Sequence, residues 1–374
     1  MIDNPTVHIL QDAAERFQAM SRAFDKALDS VGTASAELSF PLSGVPTRLR
    51  VAGEALGRRV IRPFRHLATP DRNAAPRLRI DLWDETETGI TCDGCAVDDS
   101  LSTWGEWKCS QDGRFLIHHR KTAFEIYDRR QQRILGWSVG PLQVSHHERG
   151  RPLLRLLMQW HRDNGLHLIH AGLVASDGLG VLMVGKSGSG KSTTALLCAL
   201  DGMDFLSEDF LALGQSSDGS YIGYSIYGSA KLHPDHLRRF PRLGEAALGP
   251  EHAEDDKSLL FLEDVPGVRL AGQVQIGAVV APRVADASGC RVRRIGSGEA
   301  LMHLAPSTLV LLNCYGLGLR RGDVVAKNLD DFGKLLETCP SYRLELGRDT
   351  SSIVPAVRGI IDEARASALR PTRI

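Results

Sequence analysis

The sequence has no excess of charge of either sign, because 45 Lys and Arg residues balance 45 Asp and Glu residues. A balanced chain produces no global field that recruits nucleic acid or an anionic membrane surface, so we expect neither partner. The sequence also lacks the roughly 18 uninterrupted apolar residues that a membrane span requires. Residues 1–17 show no basic segment followed by an apolar one, which a secretory signal needs. These absences predict a cytoplasmic protein.

Cysteine is sparse, with seven residues scattered over a chain of 374. This distribution fits free thiols in a reducing compartment better than a disulfide framework. Cys92 and Cys95 form one Cys-x-x-Cys, but a structural zinc site needs a second pair, and only Cys109 lies nearby. A redox motif would need a thioredoxin-like βαβ context, which is missing. We therefore interpret the pair as a glycine-containing turn that carries two thiols.

The chain changes character near residue 150, which predicts two domains, residues 1–150 and 151–374. The first half reads as α+β, with adjacent histidine pairs at 118–119 and 146–147 that we interpret as surface or hinge residues. Its predicted elements are a helix over 5–30 with an apolar stripe (Leu10, Ala13, Phe17, Met20, Phe24, Leu28), a hairpin turning at Ser43-Gly44, a helix near 53–67, and strands over 78–84, 115–120 and 123–139.

The second half contains an amphipathic helix followed by a series of short apolar runs that read as buried strands. The predicted elements are a helix over 151–165, a strand over 166–176, a turn at Asp177-Gly178, a strand over 180–185, a helix from residue 193 to Gly202, and a strand over 203–213. The loop between the second strand and the second helix carries the most specific motif in the chain.

Residues 185–192 spell GKSGSGKS, which satisfies the phosphate-binding motif G-x-x-x-x-G-K-[ST]. Glycine permits backbone angles that point successive N–H groups inward, and the following helix presents its positive dipole end to the phosphates. Lys191 is positioned by this spacing to reach the β- and γ-phosphates of ATP, and Ser192 to ligate magnesium. The predicted nucleotide-binding residues are Gly185, Lys186, Ser187, Gly188, Ser189, Gly190, Lys191, Ser192 and Thr193.

Two adjacent acids, Glu208 and Asp209, interrupt the apolar strand over 203–213. Carboxylates in a buried strand are costly unless a cation or a basic group pairs with them, and a magnesium ion held by Ser192 would supply the cation. We therefore predict Asp209 as a second magnesium ligand and Glu208 as the general base for an acceptor hydroxyl. Lys231 and Lys257 are further candidates for phosphate contacts, although most lysines are merely solvated.

The run from His170 to Leu213 resembles the core of the HPr kinase/phosphorylase family across 44 residues. His170-Ala171-Gly172 corresponds to the start of the family's first strand, GKSGSGKS to its P-loop, and Glu208-Asp209 to its Asp-Asp pair. The family fold is similar to that of phosphoenolpyruvate carboxykinase, in which the equivalent histidine and the second acid bind metal. The resemblance thus implies that His170 is catalytic, either assisting proton transfer or binding metal. It also implies an α/β chain, α+β overall, with an HPr kinase/carboxykinase-like P-loop domain after an N-terminal α+β domain.

A weaker likeness continues to about residue 358 and is greatest to the HPr-kinase-related proteins of bacterial peptide-modification clusters. Some proteins of that group phosphorylate a serine of a lasso-peptide precursor. The sequence departs from HPr kinase in having Glu208 as the first acid, in the absence of the C-terminal Gly- and Arg-rich signature tied to phosphorylase activity, and in residues 1–150. These departures argue against reversal by inorganic phosphate and predict a different recognition part.

The combined prediction is an ATP- and Mg²⁺-dependent kinase that phosphorylates a hydroxyl, with a Ser or Thr of a peptide or small protein as the first hypothesis for the acceptor. A small-molecule kinase or carboxykinase-like enzyme on the same scaffold is the second hypothesis, because fold does not determine the acceptor. A nucleotide-binding regulatory ATPase that phosphorylates nothing is the third. Homo-oligomerisation stays open at this point.

Overall fold

The computed structural model describes residues 8–9, 12–69, 74–101, 105–140, 150–249, 257–314 and 321–368. These residues divide into two compact units, one running up to Trp160 and including Cys314, and one formed by the described residues of 161–313 and 321–368. This division falls inside the helix Leu154–Asp163, whereas the boundary at residue 150 was predicted just before that helix. Helices pack on β-sheets in both units, so the protein belongs to the mixed α/β class. No helix in the described ranges is both long and apolar enough to cross a bilayer.

The first unit is built on a mixed β-sheet against which a long helix packs. Its elements are β1 (His8–Ile9), α1 (Ala13–Val31), β2 (Ser35–Leu42), β3 (Val45–Ala52), α2 (Glu54–Ile61), β4 (Leu78–Asp84), α3 (Glu85–Thr88), β5 (Glu106–Cys109), β6 (Phe115–Arg120), β7 (Ala123–Asp128), β8 (Arg133–Ser138) and α4 (Leu154–Asp163). In the described residues the strands follow the order β1-β5-β6-β7-β8-β4-β3-β2. The turn at Ser43-Gly44 joins β2 to β3, as the sequence predicts.

Helix α1 buries the apolar stripe that the sequence predicts for it, and Met20 and Phe24 are completely inaccessible. They pack with Trp83 of β4 and with apolar side chains of β6, β7 and β8 in one core cluster. The helix begins at Ala13, so the predicted start at residue 5 was wrong. Residues 8–9 instead pair with β5 as a short parallel strand, which takes the backbone out of the helical conformation. Leu10 lies outside the described residues.

His118 is buried rather than on the surface, so its interpretation as a surface or hinge residue was wrong, whereas its neighbour His119 is half-buried. Only 1% of His118 is exposed, and its ring stacks on Trp107 with ring centroids 4.6 Å apart. Its Nδ1 lies 3.1 Å from Glu125 Oε2, and Arg155 Nη1 lies 3.3 Å from its Nε2. Because a guanidinium only donates, Nε2 accepts and Nδ1 carries the proton that is donated to Glu125. The pair at 146–147 lies outside the described residues.

The second unit contains a larger sheet flanked by helices. Its elements are β9 (His167–His170), β10 (Gly172–Ser176), β11 (Leu179–Met183), α5 (Lys191–Leu200), β12 (Asp204–Ser207), β13 (Phe210–Gln215), β14 (Tyr221–Ser225), β15 (Ser229–Leu232), α6 (Pro234–Arg239), α7 (Pro241–Gly244), β16 (Ala247–Leu248), β17 (Ser258–Phe261), β18 (Arg269–Leu270), β19 (Gln273–Val284), β20 (Arg291–Ile295), α8 (Ser297–Cys314), α9 (Arg321–Thr338), β21 (Ser341–Leu346) and α10 (Ile353–Ala368).

The main sheet of this unit follows the order β18-β12-β10-β11-β19-β14-β13-β9 within the described residues. Strand β19 is long enough to serve two partners, because its first residues pair with β14 and its last six pair in parallel with β21. Strand β20 then pairs antiparallel with β21. One core cluster joins this sheet to α5 and α10, and a second joins its other face to α8 and α9. Strands β15, β17 and β16 form a separate small sheet.

Three predicted strands each turn out to be two strands: the run 123–139 of the first unit forms β7 and β8, and two runs of the second unit are divided in the same way. The run 166–176 breaks at Ala171, because β9 pairs with β13 whereas β10 pairs with β11 and β12. The run 203–213 bends at residues 208–209, because β12 pairs with β10 and β18 whereas β13 pairs with β9 and β14. A single straight strand cannot pair with both sets of neighbours. The two breaks lie side by side, since the Ala171 amide donates to the Asp209 carbonyl at 2.9 Å.

Candidate active site at one edge of the second sheet

The strand directions bring every predicted site residue of the second unit to one edge of its sheet. Strand β11 ends at this edge and leads into the phosphate loop, and its last residue pairs with Gly172 at the start of the antiparallel β10. Strand β12 runs parallel to β11, so its end, followed by Glu208, lies at the same edge. His170 ends β9 opposite Phe210, the first residue of β13. Ligands of open α/β sheets bind beyond the carboxyl ends of strands, so this edge is the candidate active site.

The loop over residues 184–190 needs its glycine residues for conformation and for space. Gly185, Gly188 and Gly190 have positive φ angles of 143°, 77° and 105°. Gly190 is also closely approached by another strand, because a Cβ there would lie 2.2 Å from Leu346 Cδ1 of β21. The last residue of β21 therefore packs directly against the turn that leads into α5. This contact could not be anticipated from the motif, because Leu346 lies 156 positions further along the chain.

Lys191 begins α5 and folds back across the loop. It is only 5% exposed, and its Nζ donates to the Gly185 carbonyl at 2.6 Å and to the Lys186 carbonyl at 3.2 Å. Burial lowers the pKa of Lys191, while the charges of Asp209 and Glu208 act to raise it. The ammonium group thus lies within electrostatic reach of both acids. The charge of Lys257 also lowers the pKa of Lys191.

Hydroxyl groups occupy the loop and the first turn of α5. Ser192 and Thr193 are half-buried at the helix N-terminus, where the backbone N–H groups and the helix dipole favour anions. The Ser189 hydroxyl is buried and has no hydrogen-bond partner among the described residues. Buried polar atoms normally have a hydrogen-bond partner, so a buried hydroxyl without one in a glycine-rich loop indicates that a bound ligand supplies the partner. Lys186 and Ser187 are exposed at the tip of the loop.

Ser207 holds the acidic bend in shape, a role that the sequence did not reveal. Its hydroxyl lies 2.9 Å from the Phe210 carbonyl and 3.2 Å from the Ala171 carbonyl, and it accepts from the Asp209 amide at 3.1 Å. Only 3% of Ser207 is exposed. A serine at the end of an apolar strand offers no signal in the sequence until the bend is known, because its partners come from the break in the neighbouring strand.

Glu208 is buried, with 4% of its surface exposed. Its Oε1 accepts a hydrogen bond of 3.0 Å from the backbone N–H of Lys231 in β15. The structure therefore links Lys231 to the site through its backbone amide. The amide determines the orientation of the carboxylate, since one of the two oxygens is held by a rigid strand.

Asp209 is directed to the histidine. His170 Nε2 lies 2.5 Å from Asp209 Oδ1, with 23% and 20% of the two side chains exposed. The His170 ring stacks on Phe210 at 5.6 Å between ring centroids, and its backbone amide donates to Thr308 Oγ1 at 3.5 Å. Three elements, β9, β13 and α8, thus position the pair.

The donor set fits a magnesium ion bound together with phosphates. Magnesium is usually held by one or two carboxylates or hydroxyls plus phosphate oxygens and water rather than by a cage of protein ligands. Ser192 and Asp209 supply that small number of hard oxygen donors at one sheet edge. No group of three or more His, Cys, Asp or Glu side chains suited to a metal occurs in the described part of the chain.

The Cys-x-x-Cys segment of the first unit forms a turn in which the two thiols meet. Cys92 Sγ and Cys95 Sγ lie 2.6 Å apart, and the Cys95 amide donates to the Cys92 carbonyl. The contact with Cys92, together with burial, raises the pKa of the Cys95 thiol. A raised pKa keeps the thiol protonated and poorly nucleophilic, in line with the interpretation of a turn that carries two thiols.

Comparison of the sequence with protein-family models and with curated proteins finds no match in either case. Among solved structures, the HPr(Ser) kinase/phosphatase from Coxiella burnetii is similar to this chain, with 12% sequence identity over 54% of this chain and 92% of that one. The TM-score is 0.29, which corresponds to a poor superposition of the whole chains. Any functional assignment must therefore come from the site residues themselves.

Proposed function

We propose that the protein is an ATP- and Mg²⁺-dependent kinase that transfers the γ-phosphate to a hydroxyl, a Ser or Thr of a peptide or small protein. The observation that carries this proposal is the convergence of the phosphate loop, the acidic bend and His170 on one sheet edge. Phosphoryl transfer needs phosphate binding, metal ligands and a group that orients or deprotonates the acceptor, all within one small site. Each of these has a residue here.

The residues of the chain divide these tasks by position. The N–H groups of the loop and of the first turn of α5 bind phosphate oxygens, and Lys191 exchanges its carbonyl partners for the β- and γ-phosphates. Ser192 and Asp209 would hold magnesium, which when bound neutralises charge on the transferring phosphate. Because Asp209 Oδ1 contacts His170, the histidine holds this carboxylate in the orientation that the metal needs.

Glu208 is proposed as the general base. The Lys231 amide donates to Oε1 and fixes the orientation of the carboxylate. A carboxylate fixed in this way is pre-oriented toward an acceptor before it arrives, which is how positioning contributes to catalysis.

The choice of a peptidyl hydroxyl as the acceptor is supported by the motif order over residues 170–213, which resembles that of HPr kinase and of related peptide-modifying kinases. On the same resemblance we propose that the second unit has an HPr-kinase/carboxykinase-like fold and that the acceptor is a peptide of the lasso-precursor class. The superposition on the HPr(Ser) kinase/phosphatase structure is too poor to support this choice of acceptor.

Incubation of the full chain with γ-labelled ATP, Mg²⁺, and a panel of peptides and metabolites tests the proposal. We expect label on Ser or Thr of at least one peptide, in an acid-stable phosphoester. Transfer only to metabolites would favour the small-molecule kinase. Label released only as inorganic phosphate, with none on any acceptor, would contradict kinase activity and favour a regulatory ATPase.

A further inference from the structure

Strands β19, β21 and β20 bring arginine residues together from three separate parts of the sequence. Arg283 of β19 pairs in register with Glu345 of β21, which pairs in turn with Arg291 of β20. One row along, Arg343 of β21 pairs with Arg293 of β20. Residues that pair directly, and those two positions apart, project from the same sheet face. The four guanidinium groups therefore share one face, and we call Arg283, Arg291, Arg293 and Arg343 the arginine face.

Contacts with α8 confirm which face this is and show how it is held. Arg343 Nη2 donates to Glu299 Oε1 at 2.8 Å and lies 2.6 Å from His303 Nε2, and Arg293 Nη2 donates to Glu299 Oε1 at 3.0 Å. Arg343 is mostly buried with 13% of its side chain exposed, whereas 62% of Arg293 is exposed. Burial and the charge of Arg343 lower the pKa of His303, although Glu299 acts against them. The lowered pKa keeps His303 neutral and leaves it as an acceptor.

The arginine face carries an excess of positive charge. Its four guanidinium groups share the face with two carboxylates, Glu299 and Glu345, which leaves a net charge of two. Arg283 and Arg291 are exposed, and neither guanidinium group makes a hydrogen bond or an ion pair with any described residue. Their charge is therefore available to a partner.

The face continues to an open strand edge. Among the described residues β20 pairs with β21 alone, and its first four residues, 291–294, are all exposed. An open edge presents unpaired N–H and C=O groups, and an extended segment can hydrogen-bond to them and add a further strand to the sheet. A second copy of this chain is an unfavourable occupant, because two arginine-bearing edges repel each other. Charge complementarity selects an acidic segment instead.

We propose that the open edge of β20 and the arginine face dock an extended acidic segment of the acceptor peptide, an inference that rests on the proposed kinase function. The edge lies close to the phosphate loop, since Leu346 at the end of β21 contacts the Gly190 position. A strand added beside β20 lies four strand spacings from β11, or about 19 Å. An extended chain covers that distance in about six residues, so the acidic segment and the acceptor hydroxyl are separated by at least about six residues.

Binding of a labelled peptide in the absence of ATP tests the docking independently of catalysis. The probe is a fluorescein-labelled peptide with four Glu, an eight-residue Gly/Ala spacer and one Ser, and its partner replaces the Glu block with Lys. Fluorescence anisotropy at low salt should show the Glu peptide binding at least about tenfold more tightly than the Lys peptide. Equal binding of the two peptides would overturn the proposal.

Charge reversal locates the site. Arg283→Glu/Arg291→Glu should weaken binding of the Glu peptide by about tenfold or more, since neither guanidinium group supports the fold through a polar contact. The control Arg58→Glu/Arg238→Glu changes the net charge equally at two exposed arginines elsewhere and should leave binding unchanged. An equal loss in both double variants, or no loss in either, would assign the binding to overall charge and overturn the proposal.

Two further probes separate the mode of binding and the class of partner. N-methylation of alternate backbone nitrogens in the Glu block removes edge hydrogen bonds, so we expect weaker binding, and an unchanged affinity would overturn strand addition. A labelled single-stranded oligonucleotide that binds as tightly as the Glu peptide, and loses affinity in Arg283→Glu/Arg291→Glu, would assign the arginine face to nucleic acid and also overturn the proposal.

Phosphorylation assays distinguish this inference from the proposed function. Transfer to the Glu peptide should fall in Arg283→Glu/Arg291→Glu through a higher KM with kcat retained. The same KM for peptides with and without the Glu block, and for wild type and Arg283→Glu/Arg291→Glu, would overturn the docking site but would not contradict the kinase activity. Binding of the Glu peptide without phosphoryl transfer to any acceptor would contradict the proposed kinase activity, whereas the binding of an acidic segment would still stand.

Discussion

His170 Nε2 lies 2.5 Å from Asp209 Oδ1, while the adjacent Glu208 is held by the backbone amide of Lys231. The two acids of the bend thus contact different groups, a histidine ring in one case and a backbone amide in the other. Ser207 stabilises the bend that keeps both acids at the sheet edge. This difference in contacts is the structural basis for giving the two carboxylates different roles, one toward the metal and one toward the acceptor.

The variant Asp209→Asn should lower activity and raise the magnesium concentration needed for half-maximal rate. The amide retains the size of the carboxylate but lacks its charge, and it weakens both the metal site and the contact with His170. Magnesium titrations of the rate provide the measurement, with Asp235→Asn as a control at an exposed position. An unchanged magnesium dependence in Asp209→Asn would show that this residue is not a ligand.

The variant Glu208→Gln should lower turnover by about 10²-fold, at the lower end of general-base effects because the transition state of phosphoryl transfer is loose. Glutamine still accepts from the Lys231 amide but cannot take the proton. The affinity for Mg·ATP should change little, and Glu208→Asp should retain more activity than Glu208→Gln. A loss of nucleotide affinity equal to the loss of rate would place Glu208 in the metal shell instead.

Substitution at two glycines of the phosphate loop should have unequal effects. Gly190→Ala combines a φ of 105° with a Cβ that would collide with Leu346, whereas Gly188→Ala has a φ of 77° and open space. A non-glycine residue with positive φ costs roughly 1–2 kcal/mol, so both variants lose some nucleotide affinity. Gly190→Ala should lose clearly more, as measured by titration with a fluorescent ATP analogue. Equal losses would contradict the close approach of β21.

The buried ion pair of Glu125 with Arg120, together with the contact of Glu125 with His118, predicts a stability effect that is confined to the first unit. Burial alone would raise the pKa of Glu125, but Arg120 and His118 together outweigh it and hold the pKa at about 2, below its ordinary 4.5. Since the folded pKa is depressed, the stabilisation is present above about pH 4.5 and is lost as the pH falls through about 2.

Glu125→Gln should therefore destabilise the first unit at pH 7 by about 3–5 kcal/mol, the usual cost of removing one partner of a buried charge pair. All five tryptophans precede residue 161, so tryptophan fluorescence reports on this unit alone. Glu54→Gln, at an exposed ion pair, is the matched control. The difference between Glu125→Gln and the wild type should shrink as the pH is lowered below 4.5, and a constant difference would contradict the pKa assignment.

The phosphate loop could be predicted from the sequence because its glycines, Lys191 and the flanking apolar runs are contiguous. The stripe of α1 and the hairpin at Ser43-Gly44 were predictable for the same reason, since local spacing alone determines them. Each of these elements is specified by residues within one or two turns of chain.

The rest depends on pairing between distant segments. The bend at Glu208 arises because β12 and β13 have different neighbours, and the arginine face arises from the register of three strands that the sequence separates. His118 appeared to be a surface residue because its partners Glu125 and Arg155 come from another strand and from α4. Tertiary pairing of this kind leaves no periodic signal along the chain.

The most direct test of the central claim compares phosphoryl transfer by wild type, Lys191→Ala and Lys334→Ala. Lys191 Nζ lies across the phosphate loop within reach of both acids, whereas Lys334 forms an exposed ion pair with Asp330 on α9. The account predicts transfer of label from γ-labelled ATP to a peptidyl hydroxyl by wild type and Lys334→Ala. It predicts a loss of about 10²–10³-fold or more in Lys191→Ala, with weaker ATP binding. Undiminished transfer by Lys191→Ala would contradict it.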